Sequence, residues 1–179
     1  MAGQRLTDKT ALEQQTGSGD LLMVVDVNDT TGSSEGTSKK MDFKYVIQTD
    51  KFSLSNAEVQ DLSPAASPKT LVGALSGYMV TVFNVTVLAT YAASTESSSK
   101  DLYFGYEADA SPSAYWKQIR DMMNGKTTDI SLQLMADPPA GGTLAATLLN
   151  KPFIMWSNGA FNGGWSCDVY VTYAYTKIL

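Results

Sequence analysis

Alternation of apolar and polar positions dominates the chain. Residues 21–27 (LLMVVDV) form a continuous apolar run that reads as a strand, and residues 28–38 are small and polar, hence a loop. From 40 to 48, Met41, Phe43, Tyr45 and Ile47 alternate with Lys40, Asp42, Lys44 and Gln48, the pattern of a half-buried antiparallel strand. Further strands are predicted over 78–91, 101–107, 130–134, 153–156 and 166–176. Over 78–91 the apolar positions are Met79, Phe83, Val85, Val87 and Tyr91; in the last strand Cys167, Val169, Val171, Tyr173 and Tyr175 share a face.

Helical periodicity is scarce. A short helix is predicted over 8–15. Ser55-Asn56-Ala57-Glu58 has the spacing of a capping box, in which serine and glutamate each satisfy an orphan backbone N–H. Ser67-Pro68 reads as a second helix start, continued by Thr70, Leu71, Ala74 and Leu75 and stopped by Gly77. Ser111-Pro112 opens a third, with Tyr115, Trp116, Ile119, Met122 and Met123 as its apolar stripe and Asn124-Gly125 as its stop.

Three blocks result: residues 1–52, a small β-hairpin module; 53–77, a neck of short helices; and 78–179, an antiparallel β-sandwich or jelly roll carrying one helix. The fold class is mainly β. The first block is too small to bury a core of its own, so it calls for a copy of itself or a docking surface.

Composition narrows the function. The 179 residues carry a net charge of −5, which disfavours nucleic-acid backbone as a partner. The absence of histidine removes Ser-His-Asp and Cys-His catalysis and the usual zinc sites. A single cysteine, Cys167, excludes an intrachain disulfide. No apolar run is long enough to span a membrane, and residues 1–8 do not read as a signal peptide.

Candidate chemistry is sparse. Asp101, Glu107, Asp109 and Asp121 are the acids nearest the third helix, but their spacing reads as solvated carboxylates rather than an acid–base pair. Asp26-Val27-Asn28-Asp29 starts like a calcium loop, then places Thr31 and Thr37 where glycine and a bidentate acid belong. No cofactor or metal is expected. Asn28-Asp29-Thr30 and Asn84-Val85-Thr86 match the glycosylation pattern by chance. The loop 158–165 is richer. Trp156, Asn158, Phe161, Asn162 and Trp165 either offer aromatic faces and amides to a glycan or fold inward to close the end of the sandwich.

The stretch Gly19-Asp20-Leu21-Leu22-Met23-Val24-Val25-Asp26-Val27, followed by Gly36-Thr37-Ser38-Lys39-Lys40-Met41, resembles the N-terminal module of many tailed-bacteriophage structural proteins. Residues 56–62 and Ser67-Pro68-Lys69-Thr70-Leu71 are similar to the neck that precedes phage fibre tips. These patterns cover residues 17–76. The resemblance implies a homotrimeric virion protein, a head fibre or capsid decoration protein assembled in the host cytoplasm. Leu22, Val24, Met41, Phe43 and Tyr45 would attach it to other virion proteins of the capsid or tail, and Leu62, Leu71 and Leu75 would meet at a threefold neck. The alternative is a tail-fibre or baseplate tip that recognises host-surface glycan. An enzyme is not expected, nor a nucleic-acid or membrane partner. The short neck favours head over tail.

Overall fold

A computed structural model describes residues 21–32, 34, 36–42, 46–62, 68–106, 115–136 and 148–177. The chain divides into two compact units, Met1–Val46 and Ile47–Leu179.

In the first unit, β1 (Leu21–Asp26) pairs antiparallel with β2 (Thr37–Asp42), in a register running from Leu21 opposite Asp42 to Asp26 opposite Thr37. Side-chain carboxylates shape the connection: Asp26 Oδ1 accepts from the Asn28 N–H at 3.1 Å and Asp29 Oδ1 from the Thr31 N–H at 3.1 Å. Gly36 has φ +117°, and a Cβ there would lie 2.8 Å from the Asp26 carbonyl oxygen, so glycine is required. The expected strand over 40–48 is two elements. β2 begins earlier and stops at Asp42, Ile47 is exposed, and the next strand starts at Gln48. Alternation does not reveal where a chain changes partner. The expected helix over 8–15, and Phe43 and Tyr45, lie outside the described residues.

The second unit contains β3 (Gln48–Leu54), α1 (Asn56–Gln60), β4 (Lys69–Val72), β5 (Tyr78–Ala93), β6 (Leu102–Gly105), β7 (Tyr115–Ile119), β8 (Ile130–Leu134), β9 (Phe153–Ser157) and β10 (Gly164–Lys177). Two four-stranded antiparallel sheets, β3-β10-β5-β8 and β4-β9-β6-β7, enclose the core. The first of these strands pairs with the last and the second with the next to last, which is the strand order of a jelly roll. The mainly β, antiparallel sandwich expected from the alternation is therefore the observed fold.

The block boundaries differ. Residues 48–54 belong to the sandwich rather than to the N-terminal module, and within 53–77 the described residues 53–62 and 68–77 belong to the same unit as the sandwich rather than to a separate neck. The capping box is present, with Ser55 and Glu58 each bonded to the other's backbone. The helix expected after Pro68 is strand β4, paired with β9. Leu62 and Leu71 are 1% and 3% exposed within the single chain, so they are spent on its own core and unavailable to a threefold axis; Leu75 is half-buried. The helix expected over 111–124 is also overturned, since residues 115–119 form β7 against β6. Trp116 is buried in a cluster with Phe153, ring centroids 5.8 Å apart, and this sheet contact overrides a spacing that fits helix and strand alike.

β5 changes parity along its length. Val80 and Val82 face the core, then Val85, Val87 and Ala89 do. Val82 sits opposite Tyr173 and Asn84 opposite Thr172, leaving Phe83 as the extra residue of a β-bulge, 46% exposed. The expected core role of Phe83 fails for that reason.

Candidate functional site: the ribbon and the loop end of the sandwich

The β1–β2 ribbon carries one of the clearest exposed apolar features. Along β1 and just beyond it, Met23, Val25 and Val27 are 68%, 58% and 68% exposed. They alternate with Val24 and Asp26, which are half-buried. Expected attachment residues Val24 and Met41 are half-buried, and Leu22 sits opposite Met41 in the ladder. The outward apolar row is thus distinct from Val24 and Met41, while Phe43 and Tyr45 lie outside the described residues.

Asp26 and Asp29 share one cation. Lys39 Nζ lies 3.0 Å from Asp26 Oδ2 and 2.8 Å from Asp29 Oδ2. Lys39 and the neighbouring backbone N–H donors hold both carboxyls below the ordinary carboxylate range, and the two carboxylates raise Lys39 in turn. Among the described residues no cluster of three or more His, Cys, Asp or Glu side chains is placed to hold a metal ion.

At one end of the sandwich, three connections meet on Glu96, which is 1% exposed. Oε2 accepts the N–H groups of Asn162 and Gly163, each at 2.7 Å. Oε1 accepts the Ser98 N–H at 2.7 Å and the Ser98 hydroxyl. The Glu96 carbonyl accepts the Gly125 N–H at 2.8 Å. Burial pushes this carboxyl up, but the bonds from Ser98, Gly163 and Asn162 outweigh it and hold the group below its ordinary value. Nothing in the spacing of Glu96 marked it; it lies in a Ser-rich stretch that reads as a solvated turn.

The aromatic loop turns inward. Trp156, Phe161 and Trp165 are 1%, 5% and 0% exposed, with Trp156 stacked on Tyr103 at 5.5 Å and Trp165 edge-on to Tyr91 at 5.2 Å. The amides tie loops together. Asn158 Oδ1 accepts the Asp101 N–H at 3.0 Å, and Asn162 Oδ1 accepts the Ser97 N–H at 2.9 Å. The rings of Trp156, Phe161 and Trp165 are therefore not open to a glycan, whereas Asn158 and Asn162 stay exposed while bonding to the 97–101 connection.

Asp101 accepts from Gln118 Nε2 at 2.8 Å and from the Asp121 N–H at 3.3 Å, while Glu107 and Asp109 lie outside the described residues. A shallow depression of about 440 Å³ is lined by Ser53, Ser55, Glu58, Thr90, Ser166 and Asp168. Its two carboxylates are occupied, Glu58 by Lys69 at 2.6 Å and Asp168 by Lys51 at 2.9 Å. Burial, with Asp168 adding, pushes the Cys167 thiol beneath it up to about 12, which leaves it unreactive at neutral pH. Among the described residues no helix is long and apolar enough to cross a membrane.

No family model and no curated protein matches the chain. Among solved structures, the cyanophage Pam1 capsid asymmetric unit is similar at 12% identity and TM-score 0.39, over 98% of this chain and 99% of that one. The PRD1 vertex protein P5 is similar at 14% identity and TM-score 0.36, over 94% and 93%. A chain of the Triatoma virus empty capsid is similar at 11% identity and TM-score 0.31, over 75% and 89%. At these scores the superpositions assign nothing, and the jelly-roll order stands on the chain's own strand pairing.

Proposed function

We propose that the chain is a virion structural protein that docks through the β1–β2 ribbon and carries its jelly roll as an independently packed body. The observation that carries this reading is the apolar row Met23, Val25 and Val27, exposed on a two-stranded ribbon in a unit of its own. An isolated two-stranded ribbon is marginal in water, and covering such a row stabilises it. The same segment holds the residues that resemble the phage attachment module. Jelly rolls recur in capsid proteins, though also in lectins and cupins, so the fold supports the reading only by association. The role is structural rather than catalytic, since the acids and the thiol described above are engaged or buried.

Within this reading the protein is a head fibre or decoration protein. The tail-tip alternative rested on an exposed aromatic loop, and those rings are internal. Trimerisation rests on the resemblance alone now that Leu62 and Leu71 belong to the sandwich core.

The test compares virions made with the wild-type chain and with a Met23→Glu/Val25→Glu variant. Particle-bound copies are counted by mass spectrometry, and the unfolding of each purified chain is followed in parallel. The wild type should copurify with particles, while the variant is lost from them with its sandwich transition unchanged. Retention of the variant at wild-type copy number overturns the ribbon assignment, and absence of the wild-type chain from particles overturns the virion role. A native mass near three chains supports a trimer, and a monomer removes it.

A further inference from the structure

The chain contains three Asn-Gly pairs, Asn124-Gly125, Asn158-Gly159 and Asn162-Gly163. All three project toward the same connection at one end of the jelly roll. Asn124 Nδ2 donates to Ser99 Oγ at 3.2 Å, Asn158 Oδ1 accepts the Asp101 N–H, and Asn162 Nδ2 donates to Ser97 Oγ at 3.1 Å. Asn-Gly is the dipeptide in which an asparagine side chain is most open to attack by the following backbone nitrogen, because glycine has no Cβ to shield that nitrogen.

The reaction needs only water. The glycine nitrogen loses its proton and bonds to the asparagine Cγ, the Cγ–Nδ2 bond breaks, and ammonia leaves a five-membered succinimide. Water then opens either carbonyl of the ring, giving an aspartyl or an isoaspartyl residue. No electron donor or acceptor takes part. The controlling feature is whether the glycine N–H is free to become the nucleophile.

In two of the pairs it is committed. The Gly163 N–H donates to Glu96 Oε2 at 2.7 Å, and the Gly125 N–H donates to the Glu96 carbonyl at 2.8 Å. A short bond to a buried acceptor must break before either nitrogen can attack. In the third pair the Gly159 N–H makes a 3.4 Å contact with Ser157 Oγ, whose own hydroxyl proton goes to the Gly159 carbonyl at 2.7 Å. Asn158 is also exposed, and the Asp101 N–H on its Oδ1 at 3.0 Å sits where negative charge develops as the tetrahedral intermediate forms.

We infer that Asn158 is a site of spontaneous deamidation in the folded protein, and that Glu96 holds Asn124 and Asn162 in reserve by binding the two glycine nitrogens that would attack them.

The full-length chain is incubated folded in mildly alkaline buffer and, in parallel, in concentrated urea. Conversion at each asparagine is read by peptide mass spectrometry that separates aspartyl from isoaspartyl products. In urea the three sites should react at similar rates. In the folded chain Asn158 should react first, and Asn124 and Asn162 at least about tenfold more slowly than in urea. Equal protection of Asn158 with the other two overturns the inference, as does conversion of Asn124 or Asn162 in the folded chain at their rates in urea.

Discussion

Glu96 and Gly163 approach so closely that a Cβ on Gly163 would lie 2.8 Å from the Glu96 backbone nitrogen, while the Glu96 carboxylate takes the Gly163 N–H at 2.7 Å. A buried acid is thus held by hydrogen-bond donors from loops far apart in sequence.

Glu96→Ala strips that acceptor from three backbone N–H groups. The expected loss is about 3 kcal/mol in urea unfolding. The wild type should also weaken in acid. The folded carboxyl lies below its unfolded value near 4.5, so its contribution is complete above that pH and is lost as pH falls through the lower folded value. In Glu96→Ala this component of the acid dependence should vanish.

Trp165 separates packing from hydrogen bonding. It is 0% exposed, and its indole N–H finds no acceptor among the described residues. Trp165→Ala should cost about 3–5 kcal/mol by leaving a cavity. Trp165→Phe loses no hydrogen bond and should cost less than about 2 kcal/mol in the same thermal or urea assay.

Phe83 and Val85 are two residues apart and should respond in opposite ways. Phe83→Thr at the bulge should shift stability by less than about 0.5 kcal/mol, whereas Val85→Ala, at 0% exposure, should cost about 2 kcal/mol in urea unfolding.

Lys39→Ala is a test of the ribbon turn. Lys39 is the chief cause of the lowered carboxyls of Asp26 and Asp29, so the variant should move both upward toward the ordinary range in an NMR pH titration. Whatever the pair adds to the ribbon is present above the ordinary aspartate value near 3.8 and lost as pH falls through the lowered folded values.

Where burial alternates without interruption, the sequence was enough. In β10, Cys167, Val169, Val171 and Tyr173 face the core as their period of two requires, with Tyr175 half-buried at the strand's end. The capping box at Ser55 and Glu58 was also readable, because it is a local exchange of hydrogen bonds. Readings failed where a distant partner decided. Leu71 and Trp116 fit helical spacings, yet β9 and β6 captured their segments as strands. Phe83 kept the right period but fell on the one residue that shifts it. At the ribbon, alternation gives two faces, and the fold leaves Met23, Val25 and Val27 more exposed than Val24 and Met41. Glu96 had no signature, because its partners are brought together by the strand order alone.

That strand order has a price in time. β10 lies between β3 and β5, so the longest ladder of the sandwich waits for the residues a ribosome makes last among its strands. Until they emerge, Val85, Val87 and their neighbours have no mate on that side and stay open to wrong pairing. Folding of the sandwich accordingly waits on pairing between segments far apart in the chain, and is slow for that reason.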